Sequence, residues 1–257
     1  MASDTDDRPK TSRRNLIIGA LTFGTFVGGW QIWANRPKKF EFQPIEGLPG
    51  WRMLEFDGIS APSAGVAGAA LLGLGDASAP VEPTPASRLC AELFEPKEGK
   101  VPVAAFSDFF CPYCRTQTPR LAARAKRPDS KVAISWHELP LLGPTSEIAA
   151  RAALAADLQG GYPEFQARLL ASSFRPTAIY LAEVASGAGL GPGQILLDMD
   201  GQVVNSRLKR SRAAAHALGI YGTPALVVGR TLVMGRISEG DLDRLIELEA
   251  EAGPLPC

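Results

Sequence analysis

Two cysteines separated by two residues, Cys111-Pro112-Tyr113-Cys114, are the side chains in this chain best placed to do chemistry. If a helix starts at this motif, the sulfurs share one turn and can reach each other across a disulfide. Cys111, nearer the helix start, feels unpaired backbone amides and the positive end of the helix dipole, which favour its thiolate. Cys114 sits deeper and is the natural resolving thiol. One thiolate attacks and the other releases the mixed disulfide: this is reversible dithiol chemistry. The same spacing also occurs in structural zinc sites and inert disulfides. Zinc would need Cys90, Cys257 or a histidine as further ligands, and their spacings form no recognisable zinc unit.

The redox reading needs a strand to end just before the motif and a helix to start at it. Val101–Phe106 is apolar and reads as a buried strand. Pro112 suits a first helical turn, where an N–H is not missed, and the helix should run to about Lys126 with a kink at Pro119. Lys131–His137 alternates as a second strand. Ser146 is expected to cap an alanine-rich helix reaching Leu158. Further helices are expected around Phe165–Leu170 and Ala178–Val184, and one or two over Gln194–Leu218. Ala225–Val228 and Thr231–Met234, joined by Gly229-Arg230, read as a hairpin with a type II′ turn. Asp241–Ala250 closes the chain as an amphipathic helix. The order is βαβ, a helical insertion, then ββα.

Upstream, a polar leader gives way to the uncharged stretch Leu16–Trp33, followed by Arg36, Lys38 and Lys39. Eighteen residues make roughly 27 Å of helix, near the lower limit for crossing a bilayer. Trp30 and Trp33 stand where an aromatic belt would lie. Ser12-Arg13-Arg14 resembles a twin-arginine export signal, and no small-x-small cleavage site is obvious. A retained anchor over residues 16–33 and a cleaved signal both place the body outside the cytoplasm; a buried core helix is the plain alternative. Residues 40–100 are rich in proline and glycine and read as an irregular extension, with a short strand at Leu54–Phe56 and a short helix at Ser87–Phe94.

The 257 residues hold 27 basic and 27 acidic side chains, so no basic surplus points to nucleic acid. Two histidines cannot build a histidine-rich metal centre. No cofactor motif is evident, and neither is a dimerisation domain, which points to a monomer. The expected divisions are 1–39 (tail and anchor or signal), 40–100 (extension), 101–252 (catalytic domain, insertion at about 145–218) and 253–257 (tail).

Three motifs in order, Cys111-Pro112-Tyr113-Cys114 after an apolar strand, Leu139-Pro140-Leu141-Leu142-Gly143-Pro144 before an alanine-rich helix, and Gly222-Thr223-Pro224-Ala225 before a hairpin, resemble the DsbA family over residues 101–252. The resemblance implies an α/β thioredoxin-like fold with an inserted helical domain. It implies a thiol–disulfide oxidoreductase in the periplasm, acting on exported cysteine-containing proteins and reset by a membrane redox partner. Net oxidation is the expected direction; a reductase or isomerase, or a non-catalytic chaperone using the same groove, are the alternatives.

By the resemblance, Cys111 is the exposed nucleophile and Cys114 its partner. Pro224 is a cis-proline facing them, leaving the carbonyl and amide of Thr223 for an extended substrate; on sequence alone a trans turn proline is the default. Pro112 and Tyr113 would tune the site. The chain departs from the family at Ala105, where a buried acid is frequent, so Asp108 or water is the candidate for proton handling. It also carries Tyr113 where strongly oxidising members have histidine. Tyrosine supplies no imidazolium, so a weaker oxidant is expected.

Other residues have plainer readings. His137, His216 and Trp136 read as core or surface, and Phe109 as core or groove lining. Arg207, Lys209, Arg210 and Arg212 read as a solvated face. A Cys90–Cys257 bond would tie the extension to the chain end in an oxidising compartment. Free thiols, intermolecular linkage or a relay to Cys111–Cys114 are the other options.

Overall fold

A computed structural model describes residues 39–55, 82–171, 173 and 175–257. The segment 16–33 and the whole of residues 56–81 lie outside the described residues. Among the described residues no helix is long and apolar enough to cross a membrane.

The strand before the cysteine motif is the centre of the sheet. β3 (Val101–Ser107) is buried at every position except Pro102. It runs parallel to β4 (Val132–Glu138) and antiparallel to β5 (Ala225–Val228). A strand paired on both edges and covered on both faces has no polar side to present, hence its unbroken apolar run. Val103 and Ala105 face a core shared with Leu121, Leu242 and Leu245. Ala104 and Phe106 face a second core with Leu89, Leu93, Ala214 and Leu218.

The first surprise is upstream. Residues 40–55, expected as irregular extension, form the hairpin β1 (Glu41–Pro44) and β2 (Arg52–Glu55). β2 then lies parallel to β6 (Thr231–Met234), giving a six-stranded sheet of order β1-β2-β6-β5-β3-β4. The short strand expected at Leu54–Phe56 is therefore Arg52–Glu55, with Phe56 outside the described residues. Each strand has only four residues and β2 does not alternate apolar and polar side chains, so periodicity is a weak signal for this hairpin. The attachment combines the β2–β6 ladder and the burial of Trp51 and Leu54 with an ion-pair network. Buried Glu249 accepts Arg52 Nη2 at 2.7 Å, Thr231 Oγ1 at 2.6 Å and the Arg230 amide at 3.1 Å. Such pairing offsets the desolvation of a carboxylate that would otherwise be costly to bury. Gly229 is required beside it, because a Cβ there would meet Glu249 Oε2 at 2.4 Å. Its φ is +56° while no described non-glycine residue has positive φ, the pattern of a type II′ turn.

The chain end is folded back on this region. A short 3-10 turn, Ala86–Arg88, leads into α1 (Leu89–Leu93), and Cys90 on α1 is disulfide-bonded to Cys257. A Cβ at Gly50 would meet Pro256 at 2.6 Å, so the tail crosses the β1–β2 loop closely.

After β3, α2 (Cys114–Ala125) runs through Pro119 without ending there. Between β4 and β5 come α3 (Pro144–Leu158), α4 (Tyr162–Ala171), α5 (Ala178–Gly187), α6 (Pro192–Asp198) and α7 (Gln202–Ala217). The alanines of α3 are buried against Phe165, Leu181 and Ile195, their small side chains allowing close helix approach. Gln194–Leu218 is thus split between two helices. The capping role expected for Ser146 is corrected: Gly143 (φ +100°) holds that position with Pro144 behind it, and the Ser146 hydroxyl is used elsewhere. α8 (Glu239–Glu251) closes the fold, capped by Ser238.

Candidate active site

Three residues separate Ser107, the end of β3, from Cys111. The Cys111 amide donates to Asp108 O (3.1 Å) and its carbonyl accepts the Arg115 amide (3.2 Å). Cys111 therefore opens the turn that leads into α2, with Pro112 next and Tyr113 at the cap position. The position expected to be an exposed nucleophile retains only 4% of its surface, and Cys114 none; Tyr113 beside them is 56% exposed. Access to Cys111 is along a narrow edge.

That edge is built by a distant segment. The Thr223–Pro224 peptide is cis. The Cys111 thiol donates to the Thr223 carbonyl at 3.1 Å. The sheet brings them together, since Ala225 pairs with Phe106. The two thiols are inequivalent. Cys111 is lowered from 9.0 to about 6, chiefly by the hydrogen bond from the Cys114 thiol, against the opposing effect of burial. The Cys114 and Tyr113 amides and the Thr223 side chain add to the lowering. Cys114 is pushed well above the ordinary thiol range, because it donates to Cys111 and is buried.

Asp108 is buried, and its carboxylate is fully engaged. Oδ1 accepts the Phe110 amide (2.8 Å) and the Ser146 hydroxyl (2.8 Å). Oδ2 accepts the amides of Leu141 (2.8 Å) and Leu142 (3.0 Å). Four donors occupy the lone pairs, so Asp108 braces the Leu139–Pro144 loop and the start of α3 against the cysteine turn. That geometry fits a brace better than the proton shuttle expected for it.

A group that sequence reasoning passed over lies nearby. Glu138, opposite Ser107 in register, is 1% exposed. Oε1 accepts the Tyr162 hydroxyl, which also accepts from Gln166 Nε2 (2.7 Å), while Oε2 has no partner among the described residues. Burial raises this carboxyl to about 8. Ser107, its partner in register, bonds Thr118 (3.2 Å) and hydrogen-bonds the Cys114 thiol, so the strand end opposite Glu138 contacts the cysteine turn. The only sequence signal was an acid at the end of an apolar strand.

The remaining candidates are structural. His137 stacks on Phe106 and is bonded at both nitrogens, to Leu93 O (2.9 Å) and Ser211 Oγ (3.2 Å). Phe109 is 3% exposed within the insertion core, so it does not line a groove. The basic run on α7 is largely paired: Arg207 with Asp157 (2.5 Å), Arg212 with Glu147 and Arg210 with Glu92 (3.7 Å).

A thioredoxin-like sheet with inserted helices, and a C-x2-C motif at a helix start facing a cis-proline, define the class of protein thiol–disulfide oxidoreductases. The family profile of the DSBA-like thioredoxin domain matches residues 102–247, more than half of the chain. The chain belongs to that family. A thioredoxin-like oxidoreductase from Silicibacter pomeroyi DSS-3 superposes with a TM-score of 0.57 at 35% identity, over 61% of this chain and 90% of that one. The thiol-disulfide exchange protein alpha-DsbA2 from Wolbachia pipientis gives 0.56 at 20% identity, over 63% and 92%. A periplasmic thioredoxin-like protein from Salmonella enterica serovar Typhimurium gives 0.56 at 22% identity, over 64% and 97%. These last two share the fold. A Na(+)/H(+) antiporter, NhaA 3 from Salinispora tropica, is 31% identical over 136 residues, 52% of this chain. The match spans about a fifth of that protein, 21% of its length. Family membership places the chain among the thiol–disulfide oxidoreductases.

Proposed function

We propose that the protein oxidises cysteine pairs in exported proteins through Cys111 and Cys114. The observation that carries this reading is the Cys111 sulfur held 3.1 Å from the Thr223 carbonyl, beside the cis Thr223–Pro224 bond, with the neighbouring Cys114 thiol favouring its ionised form. In the oxidised enzyme, a substrate thiolate attacks Cys111 Sγ and breaks the Cys111–Cys114 bond. Cys114 leaves and takes up a proton. A second substrate thiolate attacks the substrate sulfur of the mixed disulfide, and Cys111 leaves as a thiolate. Two electrons pass from substrate to enzyme. A stabilised Cys111 thiolate favours the reduced enzyme, hence substrate oxidation. Tyr113 in place of histidine supplies no imidazolium beside the thiolate, which supports a weaker oxidant than members with histidine there.

Thr223 and Pro224 are assigned to substrate binding, the Thr223 backbone pairing with an extended chain. Pro112 and Tyr113 tune the thiolate from the same turn. An exported setting is supported by Leu16–Trp33 and by a second cysteine pair bonded at Cys90–Cys257, a usage rare in reducing compartments. Residues 16–33 are assigned as the tether or export signal, and a membrane redox partner is assigned to reset the site.

Refolding of reduced and of scrambled ribonuclease, with the wild type and Cys111→Ser, tests the assignment. Oxidation of the reduced protein that is lost in the variant is expected. Activity untouched by the substitution excludes Cys111 as nucleophile, and activity on scrambled substrate alone would make the enzyme an isomerase.

A further inference from the structure

One rim of the active site is cationic. Arg236 Cζ lies 6.0 Å from the centroid of the exposed Tyr113 ring, two residues from Cys111. Arg236 is held there by the strand end, since the Gly235 amide donates to the Pro224 carbonyl at 2.8 Å. Thr116 and Arg120 continue the Tyr113 face of α2, at helical spacings of three and four. Thr116, Arg120 and Arg236 converge on one cavity of about 10 Å³. That volume admits roughly one water, so a larger group binds across its mouth.

The carboxylates nearby are already engaged. Glu239, which lines the cavity, and Asp243 are both held by Arg124. Asp241 is held by Arg244 and the Ser238 hydroxyl. Neither Arg120 nor Arg236 makes an ion pair among the described residues. Two guanidinium groups without an ion-pair partner among the described residues, with an aromatic platform near the cis-proline, form a receptor for an acid on an aliphatic stem.

We infer that the Arg236–Tyr113–Arg120 rim selects substrates with an acidic side chain close to the reacting cysteine. This rests on the proposed exchange at Cys111. An extended chain advances about 3.3 Å per residue, so an acid within about three residues of the cysteine reaches the rim. The aliphatic stem of glutamate lies on the Tyr113 ring and its carboxylate meets Arg236, with Arg120 supplying long-range attraction. A lysine at the same place meets like charge.

Three two-cysteine peptides differing only in glutamate, glutamine or lysine beside the first cysteine test this against the oxidised full-length protein. Each rate is divided by the rate of the same peptide with glutathione disulfide, which removes the effect of the flanking charge on the peptide thiol. The corrected glutamate rate should exceed the lysine rate by about two- to five-fold, the scale of an exposed ion pair. The excess should shrink as salt rises above about 0.15 M. Arg236→Glu should invert the ratio, and Arg127→Glu, at the other end of α2, should leave it as in the wild type. A corrected wild-type ratio of one, or a ratio unmoved by Arg236→Glu, overturns the inference while leaving exchange intact. If no peptide is oxidised, the glutamine peptide included, the exchange reading itself falls.

Discussion

The sulfur of Cys111 lies 3.1 Å from the carbonyl oxygen of Thr223, 112 positions further along the chain. This contact joins the two parts of the site, the helix start and the cis-proline turn, and shields a thiol that ionises easily.

The ionisation is directly measurable. In the reduced protein, thiolate absorbance or alkylation of Cys111 should rise with a midpoint near pH 6, three units below 9.0. A folded-state value below the unfolded one contributes stability above pH 9 that is lost as pH falls through about 6. Because the Cys114 thiol is the largest cause, Cys114→Ala should move the midpoint up by at least a unit. An unmoved midpoint would assign the effect to the backbone amides instead.

Glu138 and His137 should leave opposite marks on stability against pH. Glu138 is raised to about 8, so the folded state holds its proton more tightly and stability falls between about pH 4.5 and pH 8. His137 is lowered to about 4 by burial, so its contribution is lost as pH falls from about 6.5 to 4. The two slopes oppose each other below pH 6.5, and only that of Glu138 acts above it. With Cys111–Cys114 oxidised, unfolding by guanidinium should show stability decreasing from pH 6.5 to 8, at a limiting slope of about 1.4 kcal/mol per unit. Glu138→Gln should flatten that limb; persistence of the slope would place its origin elsewhere.

Removing the Asp108 carboxylate leaves three amides and the Ser146 hydroxyl without their acceptor. Asp108→Ala should destabilise the protein by about 2–4 kcal/mol, the range for breaking a buried network. Amide exchange at Leu141 and Leu142 should accelerate beyond that of the sheet. Uniform acceleration would mean the brace is not local.

The Cys90–Cys257 bond spans 167 positions. Chain-entropy reasoning puts the ceiling for such a loop near 5 kcal/mol, and a loss of about 2–4 kcal/mol is expected for Cys257→Ser. Non-reducing digestion of the wild type should yield one fragment containing both cysteines. Free alkylation of each in the folded, oxidised protein would rule the crosslink out.

Much of the fold was legible because its signals are local. The apolar run of β3, the Gly229-Arg230 turn and the alanine stripe of α3 each express a constraint acting within a few residues. β2 was legible only as a short strand at Leu54–Phe56 and β1 not at all, because four residues carry little periodicity and their place in the sheet is set by Thr231 and Glu249, far along the chain. Ser146 misled for a related reason: a serine near a helix start caps by default, but Asp108 draws its hydroxyl away once the loop folds over.

By itself the sequence determined the chemistry: two sulfurs on one helical turn, one of them nearer the amides, are inequivalent wherever the helix is placed. Tertiary structure decided the rest. It set Thr223 against Cys111, saturated Asp108, buried Glu138 beside Ser107 and brought Arg236 over Tyr113. Each of these needs strands and helices remote in sequence to converge, and burial and pairing of charge exist only after that convergence.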